Sequence, residues 1–122
     1  MISQKNLDML LYVTSNLPAG DKGTDSIKIS QFFKVAKPIK DWENYKFEKH
    51  ENLPIKSLVA TQSSTKRHNT TELVRMLYNG FLDAPIKVVR KDGVNYVVDG
   101  HHRLLSHSLM GDTAIPADIE EL

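Results

Sequence analysis

Cysteine is missing from all 122 residues. That excludes disulfides, a thiolate nucleophile and any zinc or iron–sulfur centre held by thiolates, and it fits a reducing, cytoplasmic setting. Nothing in the chain suggests haem or flavin. No apolar run reaches about 18 residues, so no membrane-spanning helix is expected. The opening MISQKNLDMLLYV has a lysine and an aspartate inside its apolar stretch and makes a poor signal peptide. An excess of one charge is also lacking, since 16 basic residues stand against 15 acidic ones. No whole-molecule field draws in nucleic acid, and any contact with DNA or RNA has to be local. There is no internal repeat and no low-complexity tract. What is present suits one folded domain: 40% hydrophobic and 25% charged residues, with enough length for a single core.

Residues 4–16 place Leu7, Leu10, Leu11 and Val13 at helical spacing. Pro18, Gly20, Asp21 and Gly23 predict a loop. IKISQFFKVA (27–36) starts with strand-like alternation, and WENYKF (42–47) reads as extended. LPIKSLVAT (53–61) predicts a strand and QSSTKRHN (62–69) a polar loop. Asn69 with Glu72 has capping-box spacing before the apolar stripe Leu73, Val74, Met76 and Leu77, which runs to Gly80. Pro85 opens a strand, Asp92–Gly93 is a hairpin signal, and VNYVV (94–98) returns. A helix over 101–110 turns Leu104, Leu105 and Leu109 inward, with Gly111 as its stop. In the closing strand, TAIPADI, Pro116 marks an edge. The reading is a compact mixed α/β (α+β) domain over 53–122, preceded by an extension over 1–52 that packs on it or flanks it.

The sharpest cluster of functional residue types is Asp99-Gly100-His101-His102-Arg103, where a strand meets a helix. The first peptide N–H groups of a helix lack intrahelical acceptors, and its dipole favours an anion there, so this junction can hold a phosphate. Gly100 permits close approach or positive φ. Arg103, His101 and His102 can add charge-assisted donors. Asp99 suits a base, a histidine-orienting group or a carboxylate for Mg²⁺ beside a nucleotide. All four arginines (Arg67, Arg75, Arg90, Arg103) fall in the second half, and a second candidate is the loop with Thr61, Gln62, Ser63, Ser64, Lys66, Arg67 and His68. A third is a metal set of His101, His102, His107 and Asp99. However, His102 and His107 are five apart, not the four that aligns two ligands on one helix face. Each cluster also has a plain reading: a capped turn, a solvated loop, or surface histidines such as His50 and His68.

LPIKSLVAT, the passage from Gly80 through FLDAPIKVV, and VNYVVDGHHRLLSHSLMGDTAIPADI together resemble the ParB/sulfiredoxin superfamily, over about residues 53–119. The resemblance implies that superfamily's fold, with nucleotide phosphates bound at the signature on the helix start. ParB proteins carry a Gly-Glu-Arg-Arg type there and bind CTP; sulfiredoxins carry Gly-Cys-His-Arg and bind ATP. Asp-Gly-His-His-Arg resembles the form in free-serine kinases and in phage and plasmid proteins described as ParB-like nucleases. Carried over, Gly100, His101, His102 and Arg103 line the phosphate site, with Gln62, Ser63, Lys66 and Arg67 contributed by the loop beside it. Asp99 becomes the acid/base or metal-orienting residue.

The departures narrow the choice. His101 stands where sulfiredoxin has its cysteine, so that chemistry is excluded. The residues after the signature helix do not match ParB's second phosphate motif or its DNA-binding helices, so a DNA-sliding clamp is not expected. The serine kinases use a glutamate near Gln62, and a glutamine cannot act as a general base. Three readings follow: NTP hydrolysis or phosphoryl transfer with Mg²⁺ at a small nucleotide-binding protein, a ParB-like nuclease acting on a DNA or RNA phosphodiester, or a non-catalytic module of phage or plasmid origin. The last would meet a protein partner through residues 1–52, with Trp42, Tyr45 and Phe47 as its aromatics.

Overall fold

A computed structural model describes residues 4–81 and 84–122; Leu82 and Asp83, within the passage FLDAPIKVV, lie outside the described residues. In chain order the elements are α1 (Gln4–Asn16), β1 (Ser26–Lys28), β2 (Lys49–Pro54), β3 (Leu58–Val59), β4 (Ser64–Lys66), α2 (Arg67–Tyr78), β5 (Ile86–Lys91), β6 (Val94–Asp99), α3 (His101–Leu109) and β7 (Ala114–Glu121). The hairpin forms as its turn chemistry requires. Asp92 and Gly93 both take positive φ, 52° and 77°, which matches the twist of the strands they join.

Five strands form a mixed sheet in the order β2-β7-β5-β6-β3. The β2–β7 and β5–β6 pairs are antiparallel, whereas β5–β7 and β3–β6 are parallel. One face packs Ile86, Val88, Val97, Ile115 and Ile119 with Leu104 of α3. Each such fully buried aliphatic side chain contributes about 1.5–3 kcal/mol. On the other face Phe47 covers Val89 and Val98, with Ile39, Trp42 and Tyr45 packed around it. The aromatics of the extension therefore pack on the domain's own sheet.

The N-terminal region is built into the same body. β1 pairs with β4 in a second, two-stranded antiparallel sheet, and α1 lies against α2. Ala36 N–H donates to the Ala60 carbonyl (2.8 Å) and Ala60 N–H to that of Lys34 (2.9 Å), which pairs the flank of β3 with the extension.

Five local expectations change. LPIKSLVAT is not one strand: β2 ends at Pro54, a 3-10 turn spans Ile55–Ser57, and β3 has two residues. β2 begins at Lys49, ahead of the boundary drawn at Leu53, through KHEN, whose charge suits an edge strand. WENYKF contains a 3-10 turn, Trp42–Asn44, closed by Asn44 N–H donating to Asp41 C=O (3.0 Å). The Asn69–Glu72 box does not start α2; the helix begins at Arg67, whose N–H donates to the Asp25 carbonyl (2.7 Å), so a tertiary contact replaces the cap. Finally, Pro116 does not mark an edge strand, because β7 lies between β2 and β5. β5 joins β7 only from Ala117 onward, so at Pro116 no ladder bond to β5 is lost.

Candidate functional site

The site forms where β6 passes into α3. Gly100 is the N-cap of α3 at φ 95°, ψ 30°, and Leu104 N–H donates to its carbonyl (2.9 Å). A Cβ on Gly100 would lie 2.8 Å from Ile86 Cγ2 and 3.3 Å from Ile86 Cα. Glycine thus meets two demands at once, a left-handed turn and close approach to β5. α3 opens with no side-chain cap and no acidic residue in its first turn; Asp99, just before the cap, is the carboxylate next in sequence to the positive end of its dipole.

His101, the first helical residue, is 2% exposed. Its Nε2 accepts a hydrogen bond from Thr61 N–H (3.0 Å), and the Thr61 hydroxyl donates to the Val97 carbonyl (2.6 Å). Because Nε2 accepts, the ring proton is on Nδ1, and among the described residues this buried Nδ1 has no partner. Burial pushes the imidazole down to about 4; the nearby Asp99 carboxylate works against that shift and His102 adds to it. His101 is therefore neutral near pH 7 and stands as an acceptor and donor, not as a proton reservoir.

This neutral ring ties stability to pH. The folded value lies below the ordinary one, so the folded state binds fewer protons than the unfolded chain. The associated stability is fully present above about pH 6.5 and is lost as pH falls toward 4, by roughly 3 kcal/mol. Urea unfolding at a series of pH values is expected to show this acid decline, flattened in His101→Gln, whose amide oxygen can still accept from Thr61. An equally steep decline in that variant would assign the effect to other groups.

The loop candidates separate. Gln62 and Lys66 line a cavity of about 280 Å³ whose other wall includes Lys22 and Asp25 from the extension. Ser63 Oγ donates to the Asp21 carboxylate (3.3 and 3.5 Å). Arg67 is turned toward the N-terminal segment, where it donates to the carbonyls of Thr24 (3.0 Å), Thr14 (2.7 Å), Leu17 (2.8 Å) and Ser26 (3.0 Å). Its fork is committed to backbone. Arg75 pairs with Glu72, and Arg90 bridges Glu51 and Glu121, so three of the four arginines serve the fold.

Asp99 is exposed, and His102 and Arg103 are half-buried in the first turn of α3. His107 sits at the far end of that helix, with Nδ1 2.8 Å from Asp112 Oδ2. The proposed set of three histidines and Asp99 is thus spread along the helix. Among the described residues no three His, Cys, Asp or Glu side chains form a metal-holding group. A Mg²⁺ arriving with phosphates needs only one or two protein carboxylates, and Asp99 meets that lower demand.

Sequence reasoning passed over Lys87. Counting outward from the Asp92–Gly93 turn sets Lys87 opposite Val98, but an irregularity between Lys87 and Val88 brings it opposite Asp99. The hairpin count alone would have placed it within one residue of the signature.

No family model matches the sequence, and no curated protein does. Solved structures similar to the chain include sulfiredoxin from Arabidopsis thaliana, at 26% identity and TM-score 0.54, covering 61% of this chain and 86% of that one. A truncated ParB from Caulobacter crescentus complexed with CTP-gamma-S is similar at 21% identity and TM-score 0.50, covering 61% of this chain and 45% of that one. A free serine kinase in complex with AMP is similar at 16% identity and TM-score 0.52, covering 71% of this chain. This chain spans 36% of the kinase's length. The chain thus has the fold of the ParB/sulfiredoxin superfamily.

Proposed function

We propose that this chain binds the phosphates of a nucleotide at the start of α3, as an NTP-hydrolysing or phosphoryl-transferring protein. One observation carries the reading. A helix start capped by a left-handed glycine, with no acidic residue in its first turn, opens on a buried histidine whose Nδ1–H has no acceptor among the described residues. An unsatisfied buried donor costs about 1–3 kcal/mol, and a phosphate oxygen is the kind of acceptor that relieves it. Two neighbours of the same fold hold AMP and CTP-gamma-S, which supports a nucleotide as the ligand class.

In this reading the α3 N–H groups and Arg103 hold phosphate oxygens, His101 keeps the Thr61 segment against the helix, and Asp99 stands at the mouth. Mg²⁺ bound with the nucleotide would supply charge neutralisation, with Asp99 as the protein carboxylate that meets it. With Gln62 near the kinase glutamate position, Asp99 is the carboxylate available to orient or deprotonate an attacking hydroxyl or water. His102 is the remaining acid/base candidate.

Calorimetry with a panel of nucleoside mono-, di- and triphosphates, with and without Mg²⁺, tests the reading. Binding is expected, and Arg103→Ala is expected to weaken it about ten- to a hundredfold through loss of a charge-assisted contact. No binding of any nucleotide or of inorganic phosphate at millimolar concentration would overturn it.

A further inference from the structure

The extension supplies an aromatic seat for one lysine near the start of β5. Lys87 Nζ lies 5.7 Å from the Trp42 ring centroid and 5.5 Å from that of Phe47, within the range of cation–π attraction. Among the described residues it has no carboxylate partner. Ring faces hold an ammonium without cancelling its charge, whereas a carboxylate would cancel it. The charge therefore stays available.

The seat is rigid. Phe47 is 5% exposed and takes φ 50°, a region costly for a bulky residue and kept only where the surroundings enforce it. They do so here: Phe47 packs on Val89 and Val98, and both Trp42 and Tyr45 meet it edge-on at 6.3 Å. An ammonium parked on such a base has lost most of its rotamer freedom before any ligand arrives, which lowers the cost of using it.

Its position is specific too. Lys87 is the cross-strand partner of Asp99, so their Cα atoms lie about 5 Å apart at the end of the sheet where α3 begins, with the Lys87 ammonium on the sheet face opposite the one α3 covers. We infer that Lys87, seated on Trp42 and Phe47, is a second anion contact of the α3 site and serves the outer phosphates of a nucleoside polyphosphate. A lysine suits that task as a compact charge with three donors that accept no fixed geometry from the ligand. The inference rests on the nucleotide reading and narrows it to nucleoside di- and triphosphates over monophosphates. It also gives residues 42–47 a part in binding.

The test uses Lys87→Met, which keeps a flexible stem on the rings and removes the charge, and Lys87→Arg, which keeps both. Affinities for a nucleoside triphosphate and the matching monophosphate are measured by calorimetry. The emission of Trp42, the single tryptophan, is followed in the same titrations. Lys87→Met is expected to weaken the triphosphate about tenfold or more and the monophosphate less than about twofold. Lys87→Arg is expected to retain the preference, and triphosphate is expected to change Trp42 emission in the wild-type protein. Unchanged affinities in Lys87→Met, with both ligands weakened by Arg103→Ala, would overturn the inference and leave the α3 site standing. If the wild-type protein binds neither ligand, the site reading fails and takes Lys87 with it.

Discussion

Gly100→Ala is expected to lower the melting temperature by roughly 10–20 °C, about 2–5 kcal/mol at a few degrees per kcal/mol. Two effects add. A left-handed φ costs a residue with Cβ about 1–2 kcal/mol, and the new methyl would meet Ile86 Cγ2 at 2.8 Å, an overlap worth about 1–3 kcal/mol. Gly93→Ala separates them, because Gly93 shares the positive φ but has nothing within 4 Å of its Cβ direction. It should lose only the backbone share, about 1–2 kcal/mol. Thermal melts of the two variants side by side read the difference. If Gly100→Ala melts no lower than Gly93→Ala, α3 can shift away from β5 freely, and the close approach is not what fixes the site.

Arg67→Ala is expected to release the N-terminal segment. The guanidinium gathers carbonyls from α1, from the following loop and from β1, a role that no single neutral side chain can fill. Four charge-assisted bonds vanish together, and a loss of about 3 kcal/mol or more is expected even after water reclaims the exposed carbonyls. Hydrogen exchange should show amides in residues 6–28 losing protection first, with β5 and β6 protected longest. Arg67→Lys should recover little, since one ammonium cannot fork to four acceptors. Uniform loss of protection across the sheet would mean instead that the segment and the sheet unfold as one unit.

Arg67 also shows where reading the sequence fell short. A basic residue in a polar loop of this kind is chemically indistinguishable from a ligand-binding one until its acceptors are known, and these lie 41 to 53 positions away along the chain. The shifted start of α2 has the same origin: the Asp25 carbonyl supplies the cap that local spacing assigned to Asn69. What was legible is what local chemistry decides. Asp92–Gly93 forced the hairpin, Leu104 and Leu105 faced α3 inward at 1% exposure each, and the Asp99–Arg103 run fell at the strand-to-helix junction. The irregularity near Lys87 and the strand order had no local signature. Pro116 misled because proline is excluded from a ladder bond by bond, not strand by strand, and β7 has one partner there and two further on.

The central place of β7 sets an order of events during synthesis. β2 and β5 do not pair with each other; residues 114–121 fill the gap between them. A nascent chain with only its first hundred residues outside the ribosome can close the β5–β6 hairpin, yet one side of β5 still lacks its strand. The close approach of Gly100 to Ile86 at the start of α3 depends on β5 being held from that side. Ligand binding should therefore appear abruptly during translation, once β7 slots in, and a ribosome stalled before Ala114 would display an exposed strand edge and no working site.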